Sequence, residues 1–101
     1  MIVVNVIAES TAEDIAALKD AIHTMETKSR AEDGCIDYTF SVELNNPNVL
    51  RITEKWESMD ALAVHFGVPH MAEFREAMAK HAFKSMNANF YEVTDVTPPG
   101  M

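Results

Sequence analysis

The order in which hydrophobic periodicity changes along the chain constrains its fold more than any other feature. Residues 2–8 are apolar on both sides, as in a central strand that is covered on two faces. A helical spacing of apolar residues follows, then two alternating segments, two short helices and a last strand over residues 89–96. This βαββαβ order predicts an α+β fold of the ferredoxin-like type, with one antiparallel four-stranded sheet and helices on one face.

Polar residues mark where several of these elements begin and end. Ser10 and Glu13 have the spacing of a capping box, which predicts one helix that runs to about Ala31. Residues 45–48, Asn-Asn-Pro-Asn, predict the turn between the second and third strands. Ser58 is placed to cap the first of the two short helices.

Alternation along the strands assigns their faces. The second strand is expected to turn five apolar residues inward: Ile36, Tyr38, Phe40, Val42 and Leu44. The first and last strands also carry apolar residues on the face opposite the helices, namely Val3, Ile7, Tyr91 and Val93. A second copy stacked sheet on sheet would cover that face, so the sequence predicts a homodimer with twofold symmetry.

Glu54 is the anomalous residue of the third strand. It shares a strand face with Leu50, Ile52 and Trp56, so it is expected to face the core. A carboxylate there loses hydration, at a cost of roughly several kcal/mol, and must find a partner, take up a proton or line a wet cavity. A partner cation or backbone N–H groups would make Glu54 structural, whereas desolvation without one predicts a raised pKa.

The charge and composition of the chain disfavour several classes of partner. The net charge is -8 at pH 7 over 101 residues, whereas nucleic acids and anionic membranes are bound through Lys and Arg. Cys35 is the single cysteine, so no internal disulfide is possible and a reducing compartment is expected. No apolar run approaches the roughly 20 residues that span a bilayer. We expect a soluble, cytoplasmic protein with one domain over residues 1–97 and a short tail over residues 98–101.

Two segments carry a resemblance to a known family. The first precedes the second strand and consists of Glu32, Asp33, Gly34 and Cys35. The second lies within residues 52–74 and includes Glu54, Trp56, Glu57, Ser58, His65, Pro69, His70 and Met71. With these residues in the family's order, the chain resembles the antibiotic biosynthesis monooxygenases, which are dimeric α+β barrels, and among them the small quinol monooxygenase type.

The resemblance implies a reaction and the residues that perform it. Such enzymes oxidise phenols or quinols to quinones with O2 and without metal, haem or flavin, because the ionised substrate itself can pass an electron to O2. The expected substrate is a small quinol or a polycyclic phenol, and no cofactor is expected. Glu54, His65 and His70 are the expected catalytic residues, with Glu54 or one of the histidines as the base.

Three further residues are expected to form the substrate pocket. Trp56 and Phe74 would wall a small aromatic substrate, and Asn5 would donate a hydrogen bond to the developing oxyanion. Each candidate also has a structural alternative: tryptophan is often a core residue, and Asn5 between two valines fits a hydrogen-bonded bulge. Both histidines also fit helix ends, where imidazole satisfies backbone groups.

Other functions of the same fold are alternatives. A related sugar-phosphate isomerase has a glutamate and two histidines at positions resembling Glu54, His65 and His70, and enolisation of a hydroxyketone needs only a base, an acid and an oxyanion donor. A small-molecule binding protein without turnover is a third possibility. Haem degradation is not expected, because residues 74–76 lack the axial histidine of the haem-degrading relatives. Glu54, His65 and His70 could bind a metal chemically, but no HExxH or Cys/His spacing is present, so no metal is expected.

Overall fold

The computed structural model describes residues 1–81 and 83–100. The elements, in chain order, are β1 (Ile2–Glu9), α1 (Ala12–Ala17), α2 (Lys19–Arg30), β2 (Cys35–Glu43), β3 (Asn46–Trp56), α3 (Met59–His65), α4 (Pro69–Ala79) and β4 (Ser85–Glu92). All four strands pair antiparallel in the order β2-β3-β1-β4, which places β1 and β3 in the centre of the sheet. The predicted α+β class, with a ferredoxin-like antiparallel sheet, is confirmed.

The core lies between the sheet and the helices. The even-numbered residues of β1 are buried, and so are the even-numbered residues of β3 from Leu50 to Trp56, as the alternation predicted. Met25 of α2, Leu62 of α3 and Phe74 of α4 pack in the same cluster. In the described part of the chain, no helix has both the length and the apolar character needed to cross a membrane.

The first helical segment differs from the prediction at its start and in its middle. Thr11, not Ser10, is the N-cap, and its Oγ1 accepts a hydrogen bond from the Asp14 N–H at 3.1 Å. Ser10 is buried, and its own N–H donates to the Asn48 carbonyl. Two adjacent hydroxyl residues offer the same capping chemistry, so this bond to the first part of β3 decides between them. Leu18, with ψ of 0°, ends α1 and begins α2 where one helix was predicted.

The later element boundaries were predicted with mixed success. Ser58 caps α3 as expected, because its Oγ accepts from the Ala61 N–H at 3.1 Å. The predicted turn over residues 45–48 is wrong in extent, since β3 already begins at Asn46. The last strand runs four residues earlier than predicted. All of its residues are exposed, so pairing with β1 sets its limits and hydrophobic alternation does not mark them.

Irregular pairing of β2 changes the face that several of its residues were predicted to occupy. Ile36, Val42 and Leu44 were expected inside and are exposed. Register shifts between residues 35 and 37 and between residues 42 and 43 interrupt the alternation at both ends of the strand. Tyr38 is buried and Phe40 is partly buried against the core, so the prediction holds in the middle of the strand.

The sheet face opposite the helices has a polar centre. Asn5 lies on this face, opposite Thr53 on β3 and Asn89 on β4. Ile7 and Tyr91, which were predicted to make the face apolar, lie on either side of that centre and are 39% and 49% exposed. The apolar surface is therefore present but interrupted.

The outer edge of β2 is occupied by side chains of α2. The Phe40 N–H donates to Glu26 Oε2 at 2.8 Å, and Arg30 Nε donates to the Tyr38 carbonyl at 2.8 Å. Glu26 and Arg30 also pair with one another at 3.5 Å, one helical turn apart. The Phe40 N–H and the Tyr38 carbonyl, which could otherwise pair with another strand, are thus hydrogen-bonded within the chain.

Candidate functional site

Glu54 stands on the buried face of β3, where strand alternation places its side chain under the helices. Only 7% of the residue is exposed. Its Oε1 accepts a hydrogen bond from the indole Nε1–H of Trp56 at 3.0 Å, and Trp56 itself is fully buried. The two residues share a face because they are two positions apart on one strand.

Burial is the main influence on the Glu54 carboxyl. It raises the pKa of Glu54 above the usual range, since the charged form loses hydration. The Trp56 hydrogen bond and the nearby His65 imidazole oppose this effect, and the Glu32 carboxylate reinforces it. The sequence-based prediction of a raised pKa agrees in direction.

The raised pKa has a consequence for stability that can be measured. The folded protein binds the Glu54 proton more tightly than the unfolded chain does, so this residue stabilises the fold fully below the unfolded-state pKa, about 4.3. That contribution is lost as the pH rises through the folded-state pKa. We expect the unfolding free energy of wild type minus that of Glu54→Gln, measured by urea denaturation from pH 4 to pH 8, to fall with increasing pH. If this difference in unfolding free energy stays constant from pH 4 to pH 8, the Glu54 carboxyl is not desolvated as proposed.

His65 lies at the end of α3 and is fully buried among aromatic rings. Its ring centroid is 4.7 Å from that of Trp56 and 5.3 Å from that of Tyr38. Nδ1 lies 2.6 Å from Glu32 Oε2. The other ring nitrogen, Nε2, is buried and has no hydrogen-bond partner among the described residues.

Glu32 joins the two histidines. Its Oε2 lies 2.6 Å from His65 Nδ1 and 2.8 Å from Nε2 of His70, the second residue of α4. Both Glu32 and His70 are about nine-tenths buried at their side chains. The sequence placed Glu32 in a family-like segment but assigned it no role, because its meeting with residues 33 and 38 positions away depends on how α3 and α4 pack.

This triad also has the composition of a metal-ligand set. Its three ligand atoms lie within 4.8 Å of one another, and its carboxylate is Glu32, not the Glu54 considered from the sequence. Two ligands at about 2.1 Å from one ion and at right angles or wider are roughly 3 Å or more apart. The separations of 2.6 and 2.8 Å are those of charge-assisted hydrogen bonds. The arrangement therefore fits a hydrogen-bonded triad better than a metal centre.

Two other titratable residues beside the site stay protonated near neutral pH. Burial, with the nearby Glu32 and Glu54 carboxylates, raises the pKa of the Cys35 thiol to about 11. Burial and the same carboxylates, Glu54 first, raise the pKa of the Tyr38 hydroxyl well above its usual range. Neither residue is suited to take a proton, so that role is left to carboxylate and imidazole.

A cavity of about 170 Å³ lies between the sheet and α4. Glu54 and Tyr38 are the ionisable residues of its lining, although nearly all of the lining surface is apolar, and the other lining residues are Val4, Val6, Ile52, Phe66, Met71, Phe74, Met78, Met86, Ala88 and Phe90. An apolar cavity of about 150 Å³ is large enough to admit benzene in another protein. The size and lining of this cavity suit one aromatic ring.

The structure brings some of the predicted site residues together and separates others. Glu54 and Phe74 line the cavity. His65 packs against Trp56, which holds Glu54 and is not itself part of the cavity lining. Asn5, expected to donate to an oxyanion in the same pocket, lies on the opposite face of the sheet from Glu54, since its neighbour Val4 is the residue that pairs with Glu54.

Comparisons with known proteins agree with this architecture. A family model described as antibiotic biosynthesis monooxygenase matches residues 1–77. A solved structure from Deinococcus radiodurans, a proposed antibiotic biosynthesis monooxygenase, has a TM-score of 0.88 at 24% identity, with 97% of each chain covered. The Rv0793 protein of Mycobacterium tuberculosis has a TM-score of 0.82 at 24% identity, with 96% of this chain and 98% of that chain covered. At such identities these structures share the fold.

A curated relative gives a more limited match. An uncharacterised protein of Synechocystis is 31% identical over 67 residues, which are 66% of this chain and 46% of that protein. The chain thus spans about half the length of the curated relative it matches.

Proposed function

This chain belongs to the antibiotic biosynthesis monooxygenase family, and from that premise we propose that it oxidises a small quinol or phenol with O2 and needs no cofactor of its own. One observation carries the proposal. The surface of the cavity between sheet and helices is almost wholly apolar, and its lining residues include Glu54, whose carboxyl pKa is raised by burial. A ring would bind the apolar walls, and the carboxyl would meet its hydroxyl group.

The cavity provides what such chemistry requires of a protein. A phenol that has lost its hydroxyl proton is electron-rich and can pass an electron to O2 directly. When one atom of O2 bonds to the ring carbon opposite the hydroxyl, the ring becomes a quinone and the second oxygen atom leaves as water. A quinol that only gives up two electrons and two protons yields the quinone and hydrogen peroxide.

Glu54 is the proposed acceptor of the hydroxyl proton. A general base works best when its pKa lies near the operating pH, and burial moves the pKa of Glu54 in that direction. His65 lies close enough for its imidazole to favour the ionised carboxyl. The buried part of the apolar lining, which includes Val4, Ile52 and Phe74, shields the oxidised intermediate from water on the core side.

The size of the cavity supports a substrate class. At about 170 Å³ it is smaller than the roughly 300–1,000 Å³ of sites for drug-sized ligands. A single-ring quinol or phenol fits it better than the polycyclic phenol that the sequence left open. The aromatic side chains of Phe66, Phe74 and Phe90 in its lining suit an aromatic ligand.

Oxygen consumption tests the proposal directly. Purified protein would be mixed with menadiol or a single-ring quinol in an oxygen electrode, with heat-denatured protein as the control for spontaneous oxidation. Labelled 18O2 then distinguishes oxygen insertion into the product from peroxide formation. Oxygen uptake no faster than the control would contradict the proposal. Formation of an isomer from a hydroxyketone without O2 would favour the isomerase, and binding without turnover would favour a binding protein.

We further propose that the chain forms a homodimer through the open face of the sheet. Ile7 and Tyr91 flank the polar centre of that face and are half exposed. We expect sedimentation to show a dimer at micromolar concentration, and Ile7→Lys to shift it to monomer because a charge would be desolvated in the interface. Val64→Lys, at an exposed apolar position on α3, is the matched control and should leave the dimer intact. A wild-type monomer at that concentration would contradict the proposal.

A further inference from the structure

The hydrogen bonds of Glu32 determine where the protons of both histidines must lie. A carboxylate has no N–H or O–H and only accepts, so each imidazole nitrogen that meets Glu32 Oε2 must carry a proton. His65 is then protonated at Nδ1 and His70 at Nε2. A neutral imidazole carries one proton, so the remaining nitrogen of His65, Nε2, is an acceptor.

The Nε2 atom of His65 is in an unusual environment for a hydrogen-bond acceptor. His65 is fully buried, and its Nε2 has no hydrogen-bond partner among the described residues. Leaving a buried polar atom unpaired destabilises a fold, so such atoms are rare and call for an explanation. The aromatic rings of Tyr38 and Trp56 pack around the imidazole and hold it in place.

A second histidine, His70, also binds the Glu32 carboxylate. His70 donates to the same oxygen at 2.8 Å, from the first turn of a different helix. With two donors on one oxygen, the carboxylate is held against rotation and stays aligned with His65 Nδ1. Hydrogen bonds link His70 to Glu32 and Glu32 to His65, and His65 packs against Trp56, whose indole donates to Glu54.

We propose that Glu32 is a positioning residue, which fixes the tautomer of His65 so that the unprotonated Nε2 receives the proton released in the cavity. This role rests on the proposed function. In it, Glu54 contacts the substrate hydroxyl, His65 Nε2 takes the proton onward, and the resulting imidazolium is stabilised by the Glu32 carboxylate. His70 acts only through Glu32.

The tautomer can be observed without any substrate. In the protein labelled with 15N at histidine, long-range proton–nitrogen NMR distinguishes protonated from unprotonated ring nitrogens. At a pH where His65 is neutral, we expect Nδ1 protonated and Nε2 unprotonated in wild type. In Glu32→Ala we expect His65 to change to the Nε2-protonated tautomer that imidazole side chains prefer in water. Asp33→Asn removes a neighbouring exposed carboxylate and should leave the wild-type pattern.

Activity then separates positioning from structure. Glu32→Ala is expected to lower kcat by about 100-fold or more with a smaller change in KM, because His65 would carry its proton on Nε2, the nitrogen that must accept the proton from Glu54. Glu32→Gln keeps the shape if the alanine variant unfolds, and its amide oxygen still accepts from Nδ1–H, so it should retain more activity and the wild-type tautomer. An Nε2-protonated His65 in wild type, or the same tautomer in wild type and Glu32→Ala, would overturn the proposal. Absence of oxygen uptake with the expected tautomer would count against the proposed function alone.

Discussion

Glu54→Gln is expected to lower the turnover of a single-ring quinol by about 100- to 10,000-fold while leaving the fold intact, because a positioned proton acceptor contributes that much to a rate. Glutamine has nearly the same shape, so the cavity keeps its size and the Trp56 indole keeps an oxygen to donate to. The glutamine side chain cannot ionise, so it cannot take the substrate proton. Oxygen consumption and the thermal midpoint, measured side by side, separate the loss of the base from the loss of structure.

Two further variants sharpen this comparison. Glu57→Gln changes an exposed carboxylate just after β3 and should turn over like wild type. His65→Gln should also lower turnover strongly, and His70→Ala more mildly, because His70 reaches His65 only through Glu32. If Glu54→Gln keeps wild-type turnover, or loses it only in proportion to unfolding, the catalytic role of Glu54 is wrong and the binding-protein alternative gains support.

Gly34→Ala is expected to destabilise the protein by about 1–4.5 kcal/mol net. Gly34 has a φ of 81°, and a left-handed conformation costs other residues about 1–2 kcal/mol. A Cβ atom there would lie 2.7 Å from the Ala61 Cβ on α3, and such overpacking costs about 1–3 kcal/mol. The lower entropy of the unfolded alanine chain offsets only about 0.4–1 kcal/mol. The thermal midpoint should fall by roughly 4 °C or more.

Gly67→Ala is the matched control for this change. Gly67 has no positive φ, and a Cβ would meet its nearest neighbour, the Val64 carbonyl oxygen, at an ordinary 3.7 Å. Its unfolding free energy should stay within about 1 kcal/mol of wild type. Equal urea midpoints for Gly34→Ala and Gly67→Ala would show that the backbone at residue 34 tolerates a side chain. Gly34 also accepts the Glu57 N–H at 2.8 Å, so the expected damage reaches the start of α3.

The fold was predictable from sequence where burial leaves a periodic signal. The alternation around Glu54 on β3 and the cap at Ser58 were both correct, because core contacts and a local hydrogen bond produce them. The last strand was displaced by four residues because none of its side chains is buried. At Ser10, a hydrogen bond to Asn48, distant in sequence, decided the cap, and no local pattern reports such a bond.

The site was predictable in part for the same reason. The anomaly of a carboxylate on an apolar strand face identified Glu54 without any knowledge of its neighbours. The link from Glu32 to both histidines joins three separate segments, and only the packing of α3 and α4 against the chain before β2 creates it. Asn5 illustrates the converse, since its polarity suggested the pocket while the pleat of β1 turns it away.

The side chains of Glu26 and Arg30 along β2 make the two edges of the sheet unequal. An incoming strand would find the middle of the β2 edge already bonded to α2, whereas in the described part of the chain β4 pairs with β1 alone. Growth of the sheet by strand addition is therefore confined to the β4 side. Two copies joined antiparallel along β4 would expose only their β2 edges, so such growth would stop at two chains and would not continue into a fibre.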